Sequence, residues 1–151
     1  MDIIHKTYFD NCVNRLLDDW KQYGRVIIAV DYDDTISPWK MHRWDDIALL
    51  GITRLLKAAQ HTGAYIVCFT ACNKDRYPEI EETFKTLGIR LDAINRNPIS
   101  LPYGEDEGSK IFYNILLDDR AGLVESLKIL ETALYQYRGI LEQQKNYDDV
   151  A

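Results

Sequence analysis

Apolar positions recur along the chain in two rhythms. Between Tyr8 and Tyr23 they fall at Phe9, Cys12, Val13, Leu16, Leu17 and Trp20, the spacing of one helical face, and Gly24 offers a stop. The run Val26–Val30 then shows no alternation, as expected for a strand buried on both faces. Helical spacing returns through Ile47, Leu50, Leu55 and Ala59 and ends near Gly63. "AYIVCFT" is a second continuous apolar run. "YPEIEETFKTLG" predicts a helix with Pro78 in its first turn and Ile80 and Phe84 turned inward. "RLDAIN" reads as a weaker third strand and "KIFYNILLDD" contains a fourth. "RAGLVESLKILETALYQYRGILEQQ" predicts a long closing helix on Leu123, Leu127, Leu130 and Leu134, and the tail "KNYDDVA" is expected to fray.

Strands without alternation, separated by helices, predict a three-layer Rossmann-like α/β domain: a central parallel sheet covered by helices on both faces. The length fits a single domain over 1–151, with an N-terminal accessory helix (1–24), a core (25–138) and a helix end with tail (139–151). The accessory helix reads as cover for the core. Residues 95–109 form the longest irregular stretch and carry two of the four prolines. In parallel sheets the ligand site lies beyond the carboxyl ends of the strands. Asp31, Thr70, Asn95 and the pair Asp118/Asp119 all follow a predicted strand, so the fold would bring them to one edge.

Composition narrows the partners. A net charge of −6 and a pI near 5.0 argue against affinity built on broad contact with a phosphate backbone, while leaving room for a local basic pocket. Cys12, Cys68 and Cys72 show no metal-ligand spacing, and Cys68, inside an apolar run, reads as a reduced, buried thiol. The N-terminus lacks an apolar signal core and no apolar run reaches membrane-spanning length. A soluble, cytoplasmic protein with no membrane partner is the expectation.

The stretch "IIAVDYDDTISPW" places Asp31, Asp33 and Asp34 within four positions at the end of a buried strand. Carboxylates so close repel one another, and the repulsion grows as the dielectric falls, so a cation is expected beside them. Hard oxygen ligands from Asp31, Asp33 and Asp118 or Asp119 suit Mg²⁺. The Thr70 hydroxyl and Lys110 would add a hydrogen-bond donor and a positive charge for a phosphate, with Lys74 and Arg76 as rival cations. A carboxylate can attack phosphorus and form an aspartyl-phosphate. A second carboxylate two residues on can protonate the leaving group and then activate water.

These residues resemble the haloacid dehalogenase-like superfamily. "VDYDDT" is similar to its first motif, an apolar strand followed by Asp-x-Asp-x-Thr. "IVCFT" is similar to the second, Lys110 to the third and "ILLDD" to the fourth, in the family's order over residues 25–120. The resemblance implies Asp31 as nucleophile and Asp33 as general acid/base. It implies Mg²⁺ held by Asp31, the Asp33 backbone carbonyl and Asp118, with Asp119 supporting through water. Thr70 and Lys110 would bind the phosphoryl group, and Thr35 would order the first loop. Dehalogenases of the superfamily lack the second aspartate, so Asp33 favours phosphate-ester hydrolysis. Asp34 stands where glycine is frequent, and either nearby charge or a loop hydrogen bond would account for it.

Many members insert a substrate-selecting cap, but the segments after Thr35 and after Thr70 are too short for one. Short capless members occur in bacteria and bacteriophages. An open site would accept a large substrate or be covered by a second subunit. A homodimer supported by the C-terminal helix or by the patch Trp39–Trp44 is therefore expected, and that patch equally suits substrate contact or packing on the first helix. Asn95 and Asn97 suit either substrate contact or turn chemistry. The leading function is a Mg²⁺-dependent phosphatase acting on a phosphate monoester, with nucleotides, a phosphorylated nucleic-acid end and small metabolites all open. The alternative is a phosphate-binding or regulatory module on the same fold, such as a receiver. Receivers carry their phosphorylated aspartate after a middle strand, however, and the third strand here ends in Asn95.

Overall fold

The computed structural model describes residues 2–38, 46–99 and 111–150. Helix α1 (Ile3–Tyr23) leads into β1 (Val26–Val30); α2 (Asp46–His61) and β2 (Ala64–Cys68) follow. A 3-10 turn (Lys74–Arg76), α3 (Tyr77–Leu87), β3 (Ala93–Ile94), β4 (Ile115–Leu117) and α4 (Leu123–Val150) complete the order. The four strands form one all-parallel sheet in the order β3-β2-β1-β4, as in a Rossmann-like α/β fold.

Strand order explains where a site belongs. The chain steps outward from β1 to β2 to β3, then returns to place β4 on the other side of β1. This reversal beside β1 is the topological switch point, where parallel sheets open a crevice at their carboxyl edge. Register aligns that edge: Val30 pairs with Cys68 on one side and Leu117 on the other. The ladder continues one step further, with the Asp31 N–H donating to Leu117 O at 2.9 Å and the Phe69 N–H to Val30 O at 2.8 Å.

Side-chain parity divides the core into two clusters. Val26, Ile28, Val30, Ala64, Ile66, Cys68, Ile115 and Leu117 share one core with the buried sides of all four helices. Ile27, Val67 and Ala93 point the other way and pack with Tyr65, Ile99, Phe112 and Tyr113 in a separate cluster. Among the described residues the helices therefore cover one face only. Ile99, Phe112 and Tyr113, which flank the connection between β3 and β4, lie on the second face.

The helices differ from the sequence pattern in detail. α1 starts at Ile3 because the Asp2 side chain accepts a hydrogen bond from the His5 N–H, a favourable N-cap. Its Trp20, fully buried, stacks on Tyr137 of α4 at 5.5 Å and donates to Thr62 O at 2.7 Å, so α1 does cover the core. In α2 the buried apolar positions are Ile52, Leu56 and Ala59, whereas Ile47 and Leu50, expected inside, are exposed. α4 continues through the tail expected to fray, because nothing after Gly139 breaks a helix and Leu, Glu, Gln and Lys favour one. Among the described residues no helix is long and apolar enough to cross a membrane. The Cys68 thiol is buried, and burial pushes its pKa up to about 12, which keeps it unreactive.

Two glycines make opposite predictions. Gly63, at φ +95°, turns α2 into β2 directly against the Gly24 carbonyl, where a Cβ would collide with that oxygen. Gly63→Ala is expected to cost about 2 kcal/mol or more through strain and forced movement of the backbone. Gly51, inside α2 with open space around it, should gain about 0.5–1 kcal/mol as Ala. Thermal melts of the two variants that move in the same direction would refute this account.

Candidate active site

The edge of β1 carries the centre of the site. Asp31 follows Val30 directly, and its side chain meets those of Asp118 and Asp119 from the end of β4. The three carboxylates offer oxygens within 4.8 Å of one another. Charge crowding follows from that geometry. Burial first, then the Asp118 charge and the Asp119 hydrogen bond and charge, raise the Asp31 pKa from 3.8 to about 7, against a smaller opposing effect of Thr35. Asp119, which the resemblance has supporting through water, reaches the same cluster as Asp118. A group of hard oxygens with this much mutual repulsion is a donor set that a small divalent cation satisfies.

Thr35 ties the two loops together. It is fully buried, its Oγ1 accepts the Asp119 N–H at 3.1 Å, and its hydroxyl lies within donating reach of Asp31 Oδ2 at 3.3 Å and Asp119 Oδ1 at 3.4 Å. The loop that presents Asp33 is a tight turn. The backbone N–H groups of Ile36 and Ser37 both donate to Tyr32 O, and Asp34 adopts a left-handed φ of 63° while its N–H donates to Ser37 O at 2.7 Å. The left-handed backbone explains why glycine suits position 34, and aspartate tolerates that region better than most residues.

Thr70 follows β2 and Asp33 follows Asp31 on the loop after β1, and both line the same cleft. The Thr70 backbone is clamped by Asn95, whose Oδ1 accepts the Thr70 N–H at 2.9 Å and whose Nδ2 donates to Thr70 O at 2.6 Å and Tyr77 Oη at 3.0 Å. Asn95 is therefore a loop clamp, itself left-handed at φ 51°. The Asn97 side chain likewise accepts the Phe112 N–H at 3.0 Å. The Thr70 hydroxyl accepts the Cys72 N–H at 3.2 Å, a contact that leaves its own proton for another acceptor. The Asp33 carboxylate stands outside the three-aspartate group. Both its oxygens are bound by Arg76, Nη1 to Oδ2 at 3.1 Å and Nη2 to Oδ1 at 3.0 Å.

Asp31, Asp33, Thr70, Arg76 and Asp118 line one open cleft of about 490 Å³. Lys74 faces a neighbouring cavity with Asn95 and Arg96. Lys110 and the Trp39–Trp44 patch lie outside the described residues. Sequence reasoning did not single out Arg120 or Phe69, which also line the cleft. Arg120 gives its N–H to Asp118 Oδ1 at 2.8 Å, and Phe69 is a partly exposed aromatic one residue before Thr70. Their adjacency to the strand ends was the available signal. Comparisons with protein-family models, curated proteins and solved structures gave no match, so the functional reading rests on this geometry and on the motifs.

Proposed function

We propose that the chain is a Mg²⁺-dependent phosphomonoesterase of the haloacid dehalogenase-like type, without a cap domain, acting through an aspartyl-phosphate. The observation that supports this best is the convergence of Asp31, Asp118 and Asp119 oxygens within 4.8 Å, with Asp31 and Asp118 lining a cleft shared with Asp33 and Thr70. The donor set fits the ion: three carboxylates are hard ligands, and the Asp31 pKa is raised by burial first and then by the Asp118 and Asp119 charges, which a cation would offset. Mg²⁺ held by Asp31, Asp118 and Asp119 would offset negative charge between the attacking carboxylate and the phosphate.

The residues then have distinct tasks. An Asp31 carboxylate oxygen attacks phosphorus, the P–O bond to the alcohol breaks, and Asp33, which gives up one of its two Arg76 bonds to carry a proton, protonates the departing oxygen. Water next attacks the aspartyl-phosphate and passes a proton to Asp33, so inorganic phosphate leaves and Asp31 is restored. The Thr70 hydroxyl donates to a phosphoryl oxygen, Lys110 is the cation the motif order assigns to the same group, and Thr35 fixes the angle between the Asp31 and Asp119 loops. The test is phosphate release with and without Mg²⁺ from p-nitrophenyl phosphate, nucleotides and 3′- or 5′-phosphorylated oligonucleotides. Absence of Mg²⁺-dependent release from every ester would reject this function.

Metal affinity should depend on pH. A carboxyl whose pKa is near 7 is mostly protonated at pH 6, and the proton must leave for the oxygen to bind a cation. Apparent Mg²⁺ affinity should therefore fall about tenfold per pH unit below about 7, with close to one proton released per ion bound. Calorimetry in buffers of different ionisation enthalpy measures that proton, and affinity that stays flat on acidification counts against this site.

A further inference from the structure

We propose that Arg76 is a positioning residue for Asp33, fixing that carboxylate at the cleft by a two-point grip rather than binding the phosphate itself; this rests on the phosphatase reading above. Arg76 belongs to the 3-10 turn after β2, while Asp33 belongs to the loop after β1. Between the two side chains there are two charge-assisted hydrogen bonds, 3.0 and 3.1 Å, in the parallel fork geometry that makes Arg–carboxylate pairs directional. Neither partner is fully solvated, at 24% and 29% exposed, so the pair is better defined than a surface ion pair.

The guanidinium is held from behind as well. Its Nε donates to Glu79 Oε2 and its Nη2 to Glu79 Oε1, both at 3.4 Å, and the Tyr32 ring lies beneath it with 5.7 Å from Cζ to the ring centroid. Tyr32 is buried, and its hydroxyl sits 2.8 Å from Thr83 Oγ1 and 3.2 Å from Glu79 Oε1. α3 thereby anchors Arg76, and Arg76 anchors Asp33.

Counting donors separates the two possible roles. A guanidinium has five N–H donors. At least four of them are engaged, two by Asp33 and two by Glu79. A phosphate seeking a bidentate partner would have to displace one carboxylate or the other. Among the described residues, Arg76 supplies the side-chain hydrogen bonds that orient Asp33. Misplacing a catalytic group by about 1 Å can cost roughly a hundredfold. The grip on Asp33 is thus the larger contribution of Arg76.

The experiment compares wild type with Arg76→Lys and Arg76→Gln on phenyl phosphate and p-nitrophenyl phosphate, with inhibition by inorganic phosphate measured alongside. Lysine keeps the charge but not the fork, so both variants should behave alike. For phenyl phosphate, whose leaving group needs a proton, kcat/KM should fall about 10–100-fold. For p-nitrophenyl phosphate the fall should be several times smaller, and the inhibition constant of inorganic phosphate should stay close to wild type. Rescue by lysine, or an equal loss on both esters with weakened phosphate inhibition, would overturn the positioning role and make Arg76 a phosphate ligand. A wild-type protein inactive on every ester would instead overturn the phosphatase reading on which this rests. Arg76→Lys keeps a cation between Asp33 and Glu79, which guards against loss of the fold, and circular dichroism checks this.

Discussion

Asp31→Asn is expected to bring hydrolysis of every phosphate ester to background while making the metal-free protein more stable at neutral pH. The two effects share one cause. The Asp31 carboxylate is both the proposed attacking group and an oxygen of the three-aspartate cluster, and its amide replacement can neither form the aspartyl-phosphate nor carry the charge that attracts Mg²⁺. Stability moves the other way. The folded-state pKa is about 7 against an ordinary 3.8, so between those values the native carboxyl holds a proton that the unfolded chain has lost. Stability therefore falls as pH rises through that window, and the full cost of the charge is present above pH 7. Removing the carboxylate should return on the order of 1–2 kcal/mol above neutrality, after discounting the shift for the partial exposure of the group, and almost nothing near pH 4. Thermal melts at acid and alkaline pH in EDTA, beside phosphatase rates in Mg²⁺, read both effects. A variant that keeps wild-type turnover refutes the mechanism. A variant less stable than wild type above neutrality refutes the crowding of charge at the site.

Part of the fold was legible because it depends on short-range physics. Val26–Val30 and Ala64–Cys68 are β-branched, apolar and unalternating, and a strand covered on both faces is the state that buries such a run. Gly24 and Gly88 stop their helices in the left-handed conformation that glycine adopts without strain. The facing of α2 was not legible. Ile47, Ala48, Leu49, Leu50, Ile52, Leu55, Leu56, Ala58 and Ala59 surround the helix axis, so spacing alone does not fix which stripe turns inward. Contact with β2 selected Ile52, Leu56 and Ala59.

The candidate site divides in the same way. Strand ends are predictable, and a parallel sheet brings its strand ends together, so Asp31, Thr70 and Asp118 could be placed on one edge from their positions after apolar runs. What sequence could not supply was the pairing across loops. Arg76 lies 43 residues from Asp33, and the sequence offered it only as a rival phosphate-binding cation, whereas the 3-10 turn aims it at the carboxylate. Asn95 is similar. It stands 25 residues from Thr70, and its clamp on the Thr70 backbone exists only because β3 lies beside β2. Thr35 was assigned to its own loop, but its main contact is with Asp119, 84 residues away, across the switch point.

The second large effect is expected for Asp33→Asn, and it differs in kind from the loss at Asp31. The asparagine has nearly the same shape, leaves the three-aspartate cluster intact and should retain much of the Mg²⁺ affinity. It cannot deliver a proton to the leaving oxygen or take one from water, steps worth typically ~10²–10⁴-fold. The loss should be greatest for alkyl phosphates and least for p-nitrophenyl phosphate, whose leaving group departs with little help. With that ester the first step outruns the second, so phosphate should accumulate on Asp31 and appear as one added phosphoryl group in intact-mass spectra after an acid quench. Asparagine also removes half of the fork with Arg76, because an amide nitrogen repels a guanidinium donor. If Arg76 acts through Asp33, then Asp33→Asn combined with Arg76→Gln should be no slower than Asp33→Asn alone, since groups that work as a unit are strongly non-additive. Losses that multiply in the double variant would mean that Arg76 meets the substrate independently. A uniform loss across leaving groups, with no trapped phospho-enzyme, would remove Asp33 from the acid–base role.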